Sequence, residues 1–141
     1  MLELLYLSIN ALVFPIWLGM ILFPNSNLTK KVMMSYLIFV PFVLIYLILI
    51  VVGASQILPQ MRGFDLESLA KALGTQAGTA TIWAHIVIMD AVAGRWIYLD
   101  SMKKKKFSKI LRAGILFLTM MAAPIGFLTY LYSKEKYEIT T

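Results

Sequence analysis

VMMSYLIFVPFVLIYLILIVV, residues 32–52, is a run of 21 residues without a single charge. At a helical rise of about 1.5 Å per residue such a run reaches roughly 30 Å, the thickness of a bilayer's hydrocarbon core. Only helices and closed barrels satisfy their backbone polar groups in that setting. The run lacks the period-2 alternation of a barrel strand, so it reads as a helix. Three more runs of spanning length lie near residues 4–23, 79–99 and 113–132. Together they predict an all-α membrane protein, a four-transmembrane-helix bundle forming one membrane domain over residues 1–141.

Composition agrees. The chain is 60% hydrophobic, with a mean hydropathy of +0.81, and only 14% of its residues are charged, against about 25% in soluble domains. There is no cysteine, which excludes structural disulfides, thiolate metal sites and cysteine nucleophiles. The net charge of +6 comes from basic residues clustered beside the apolar runs. There they act as topology and headgroup anchors, so no nucleic-acid partner is expected. The start Met1-Leu2-Glu3 has no basic n-region and the first run ends without a small-residue cleavage site. That run is therefore expected to be retained, with no transit segment ahead of it.

The connections carry further signals. Asp65 to Leu73 reads as a short helix with Asp65 as N-cap and Gly74 as its stop. Leu66, Leu69, Ala70 and Leu73 share one face, which suits either a helix lying in the membrane interface or a lid over the bundle. Lys30 and Lys31 precede the second run, and Lys103 to Lys106, Lys109 and Arg112 fill the link between the third and fourth. With four crossings these residues share one side, which the positive-inside rule makes cytoplasmic. Both termini then face outward, in company with only Arg62, Lys71, Lys134 and Lys136.

Ionisable residues inside a membrane mark function because each needs a partner or a wet cavity. The third run concentrates them: His85, Asp90, Arg95 and, at its end, Asp100, with Trp83 and Trp96 between. With His85 at zero and about 100° per residue, Trp96 falls at about 20°, Asp100 at about 60°, Asp90 at about 140°, Trp83 at about 160° and Arg95 at about −80°. The polar groups encircle the helix. His85 and Asp90 do not face each other, since helical neighbours stand three or four residues apart, so partners from other helices are required.

Asn10 is a mid-membrane amide, suited equally to helix–helix bonding and to a site. Pro15, Pro41 and Pro124 fall within runs and are expected to kink them. Trp17, Trp83 and Trp96 are candidates to line an apolar pocket, with interfacial packing as the commoner use. Tyr130, Tyr132 and Tyr137 read as belt or tail residues. One histidine and no cysteine leave too few good ligands for a transition metal unless carboxylates contribute, His85 alone is a weak candidate haem ligand, and no phosphate loop or serine-nucleophile motif is present. No cofactor is expected.

Trp83-Ala84-His85, then Met89-Asp90, then Gly94-Arg95-Trp96 and Asp100 resemble the pattern of the abscisic-acid-deficient-four-like membrane proteins. Ala123-Pro124-Ile125-Gly126-Phe127-Leu128 with Tyr130, and Asn10, Pro15, Trp17 and Pro24, extend the resemblance over nearly the whole chain. Plant members of that family are required for neoxanthin formation in plastids. The resemblance implies conversion of a 5,6-epoxide xanthophyll to an allene by acid–base chemistry without a cofactor. His85 and Asp90 would then transfer protons and Arg95 hold a carboxylate. Asn10, Trp17, Trp83, Trp96 and Asp100 would bind the substrate, a carotenoid or other isoprenoid reached through membrane lipid. The short, lysine-rich form is similar to a bacterial relative, which implies an inner-membrane location. The rival readings are a non-enzymatic lipid- or pigment-binding scaffold and a proton-coupled transporter. The oligomeric state is left open.

Overall fold

The protein is described here by a computed structural model that covers residues 1–63, 65–103 and 107–139. These residues form seven α-helices and no strand: α1 (Leu2–Leu22), α2 (Asn27–Met34), α3 (Val40–Ile57), α4 (Leu66–Leu73), α5 (Gln76–Met102), α6 (Lys109–Met121) and α7 (Ala123–Ile139). Lys104, Lys105 and Lys106 of the lysine-rich link lie outside the described residues.

Three stretches among the described residues are long and apolar enough to cross a membrane: Leu2–Leu22, Tyr36–Gln60 and Gln76–Met102. They answer to the first three expected runs, with shifted ends. Val32 to Met34 belong to α2, and a 3-10 turn over Tyr36–Phe39 leads into α3. Pro41 stands in the first turn of α3, where a missing N–H costs nothing, so it starts that helix and does not kink it. Pro15 does lie inside α1.

The fourth run differs from expectation. It is not one helix but two, α6 of 13 residues and α7 of 17, broken at Ala122 (φ −155°, ψ 78°). Pro124 has no N–H with which to continue the ladder, and the amides of Ile125 and Gly126 turn to the Ala122 carbonyl. The chain then folds back. Phe107 and Tyr130 would be about 35 Å apart along an unbroken helix, yet their ring centroids are 5.5 Å apart. Gly126 is the contact that permits the return, because a Cβ there would run into Thr119. The expected fourth crossing is thus a helical hairpin.

The chain divides into two compact units, Met1–Leu12 with Phe39–Ile88 and Val13–Ile38 with Met89–Thr141. Helices α1 and α5 run through both. In the first unit α3 approaches α5 at Gly53, where a Cβ would stand 2.9 Å from that of Ala77. Helix α4 ends where Gly78 meets the Ala72 carbonyl, another approach that a side chain would block. The expected caps of α4 are present: Asp65 accepts from the Ser68 amide at 2.9 Å, and Gly74 is the C-cap. Leu66 and Leu69 on α4 remain exposed.

The Ser68 backbone N–H, with the Ser68 hydroxyl second, holds the Asp65 carboxyl below its usual range. The cap therefore stabilises α4 above the unfolded value of about 3.9 and loses that contribution as pH falls through the lower folded value. Amide exchange in the detergent-solubilised protein is expected to quicken in α4 in Asp65→Ala at neutral pH. Wild type should match it only in acid, and Asp65→Asn should keep most of the protection.

Candidate functional site

In the first unit, Trp83 on α5 donates its indole N–H to the Asn10 carbonyl at 3.1 Å, while the Asn10 amide donates to the Tyr6 carbonyl at 2.7 Å. Tyr6 also stands against the Trp83 ring, centroids 6.3 Å apart. The structure joins two of the sequence-predicted residues here, and each uses its polar group to tie α1 to α5. His85 is exposed and lies against Tyr46 of α3, rings 5.8 Å apart. Among the described residues it makes no hydrogen bond.

In the second unit, Trp17 is 4% exposed, and its ring covers Gly94. A Cβ at residue 94 would stand 2.5 Å from the ring, so glycine is what lets α1 and α5 close on each other. Trp17 is a packing residue here. Arg95 donates to the carbonyls of Met33 at 2.7 Å and Met34 at 3.4 Å, neutralising the C-terminal end of α2. No carboxylate among the described residues lies within ion-pair distance of it, in contrast to its expected part.

Trp96 and Asp100 are brought together with residues the sequence reading passed over. Tyr130, expected in an interfacial belt, is fully buried and donates to Asp100 at 2.7 Å. Lys134 pairs with the same carboxylate at 3.1 Å, and its ammonium stands 5.5 Å from the centre of the Trp96 ring. Trp96 packs on Phe127 and edge-on to Tyr130. Arg112, read as a topology charge, is buried and donates to the Ser101 hydroxyl at 2.9 Å and to the Ser101 and Phe107 carbonyls. The spacing of Tyr130 and Lys134, i and i+4, was the available signal, because it puts a hydroxyl and a cation on one helical face.

Asp90 is different. It sits 14 residues from the start of α5 and 12 from its end, about 20 Å from either. It is half-buried in a cleft of about 560 Å³ lined by Met89, Ala93, Ala123, Pro124, Phe127, Leu128 and Leu131. The tip of the α6–α7 hairpin therefore stands at its level. Among the described residues nothing donates a hydrogen bond to its carboxyl group. The site is one carboxyl group in an otherwise apolar cleft, a group able to give and take a proton beside a greasy ligand. No group of three or more histidine, aspartate or glutamate side chains gathers among the described residues to hold a metal.

A family model described as ABA DEFICIENT 4-like matches residues 4–130. The Arabidopsis thaliana protein ABA DEFICIENT 4, chloroplastic, is 22% identical over 133 residues, covering 86% of this chain and 56% of that protein. This chain thus spans little more than half the length of the curated relative it matches. No solved structure matches it.

Gly94→Ala should destabilise the fold by about 1–3 kcal/mol through overpacking against Trp17. Tyr130→Phe should cost about 1–3 kcal/mol by leaving the Asp100 carboxylate one donor short. Thermal or denaturant unfolding in detergent measures both, and an unchanged midpoint in either variant would contradict the packing described.

Proposed function

We propose, for a chain that belongs to the ABA DEFICIENT 4-like family, an integral membrane isomerase that rearranges an epoxide-bearing carotenoid or related isoprenoid by moving one proton at Asp90. The observation that carries this reading is the cleft itself, an apolar groove at mid-helix depth whose one carboxyl group has no hydrogen-bond partner among the described residues. A polyene reaches such a groove laterally through lipid.

Epoxide-to-allene conversion needs no electron donor or acceptor. Asp90 enters as the neutral acid and gives its proton to the epoxide oxygen. The bond from that oxygen to the ring carbon joined to the polyene breaks, and the oxygen stays on the neighbouring ring carbon as a hydroxyl. The Asp90 carboxylate then takes the proton from the adjacent chain carbon, and that C–H electron pair closes the cumulated double bond. The acid is restored and atoms balance, with no cofactor in the cycle. Neoxanthin from violaxanthin is the instance the family suggests.

For the bilayer we propose three crossings by the apolar stretches, with α6 and α7 entering and leaving from one side, the N-terminus outside and α7's end inside; the hairpin supports this reading. Lys134 and Lys136 then join the lysine-rich cytoplasmic side, leaving Arg62 and Lys71 opposite, a stronger positive-inside bias than four crossings provide. The exposed Leu66 and Leu69 suit α4 to a place in the outer interface. An inner membrane of a bacterium suits this arrangement.

A second reading has its own observation. Asn10, Trp83, Arg95 and Asp100 all spend their polar groups on holding helices together, as a non-enzymatic pigment- or lipid-binding scaffold would require. Expression in a violaxanthin-accumulating host separates the two. The isomerase reading expects neoxanthin from wild type and a loss of about 10²–10⁴-fold in Asp90→Asn, at equal membrane content. Folded wild type with no pigment change, or an Asp90→Asn variant as active as wild type, contradicts it.

A further inference from the structure

A second groove lies in the unit formed by Val13–Ile38 and Met89–Thr141, remote in sequence from Asp90. It holds about 550 Å³ and is lined by the end of α1 (Ile21, Leu22, Phe23), the turn Pro24-Asn25-Ser26, and the start of α6 (Lys109, Ile110, Ala113). Its walls are of two kinds. Leu22, Phe23 and Ile110 are apolar and exposed, Ile110 to 86%. Asn25, Ser26 and Lys109 are polar and exposed, and among the described residues none of their side chains makes a hydrogen bond or ion pair. Ser26 stands at the N-cap of α2; its carbonyl accepts from the Lys30 amide at 3.0 Å, and its hydroxyl makes no cap hydrogen bond.

The depth of the groove indicates what it holds. Helix α1 has 21 residues, about 31 Å of rise, so its end at Leu22 comes to the headgroup level of a bilayer that it crosses. A soluble anion would use the lysine and leave the exposed isoleucine, leucine and phenylalanine uncovered. A zwitterionic lipid would cover them and set its own cation beside Lys109. Lys30 and Lys31 on α2 and Lys103 after α5 add positive charge to the adjoining segments, with no acidic residue between Leu4 and Ser35, and the carboxylate of Asp100 is already held by Tyr130 and Lys134. The complement is an amphiphile with a net negative head.

We infer that this groove seats an anionic phospholipid, its phosphate on Lys109 with Asn25 and Ser26, and the upper part of an acyl chain along Leu22, Phe23 and Ile110. The inference does not rest on the isomerase reading, since it uses none of the residues of the Asp90 cleft.

Native mass spectrometry of the full chain in neutral detergent, titrated with phosphatidylglycerol or phosphatidylcholine, tests it. Phosphatidylglycerol is expected to be retained preferentially and to raise the melting temperature. Lys109→Gln should weaken its apparent affinity about fivefold, the worth of one lysine at an anionic surface. The double variant Asn25→Ala with Ser26→Ala should weaken it as well, through side chains that support no described contact. Lys71→Gln, on α4, should leave it unchanged. Equal retention of phosphatidylcholine, or wild-type affinity in the Lys109 and Asn25/Ser26 variants alike, overturns the inference. So does a melting shift as large with glycerol 3-phosphate alone, which would mark a site for a free anion.

Discussion

Tyr130 donates to Asp100 from a helix that sequence length alone would have carried across the membrane and away from it. That hydrogen bond, with Lys134 on the same carboxylate and Trp96 edge-on to Tyr130 beneath the Lys134 ammonium, holds the C-terminal helix against the end of α5. Asp100 is near the end of α5, so its partners must come to that end too. Once they do, the approach can be made only by turning back at Ala122, and Pro124 and Gly126 supply the means. The first removes the amide that would have extended α6, and the second lacks the side chain that would have struck Thr119. A half-buried carboxylate that needs donors thus shapes some thirty residues of chain on the far side of a lysine-rich link.

The same need for partners sorts the polar residues of α5 into two classes. A buried or membrane-embedded polar group without a hydrogen bond is costly, and most are satisfied by their own fold. Trp83 has Asn10, Arg95 has the end of α2, Tyr98 has the Pro24 carbonyl at 2.6 Å, and Asp100 has Tyr130 and Lys134. Each contact holds one element against another, and none leaves a group free to do chemistry. His85 and Asp90 do not fit this class. Of the two, Asp90 has a cleft of its own, made by the hairpin tip, whereas His85 lies on an exposed face beside Tyr46. A motif that looks like one constellation in sequence is a set of helix-holding contacts with an unspent carboxyl group in their midst.

Much of this was legible before the structure. Apolar length located the three stretches long and apolar enough to cross a membrane, and the Asp65 and Gly74 signals bounded α4, because caps are local chemistry. The encircling distribution of polar groups on α5 was also correct as a reason to seek partners elsewhere. The direction of the fourth run was not legible. Hydropathy measures how long a stretch stays apolar, and residues 113–132 are equally apolar whether they cross or return. The Ala-Pro junction was visible, but a proline in a long apolar helix kinks as readily as it breaks, and only the contact of Gly126 with Thr119 decides. Tyr130 was misread for a related reason: a tyrosine near the end of an assumed crossing belongs in the belt, whereas one on a returning helix belongs in the core.

The turn back also bears on how an apolar cleft comes to contain a single acid. A continuous fourth helix would present side chains along its whole length to α5 and bury Asp90 against them, where an unsatisfied carboxyl group would be hard to tolerate. A hairpin that ends at the level of Asp90 covers α5 only from there toward Asp100. Phe127, Leu128 and Leu131 then form one wall, and the helix stops short of closing the other. Irregular backbone is tolerated in membrane proteins where it is buried in protein or lines a cavity; Ala122 is half-buried, and Ala123 and Pro124 after it line the cleft. The features that look least like a membrane helix, Ala122 out of helical geometry with Pro124 beyond it, are therefore the ones that leave room beside the carboxyl group.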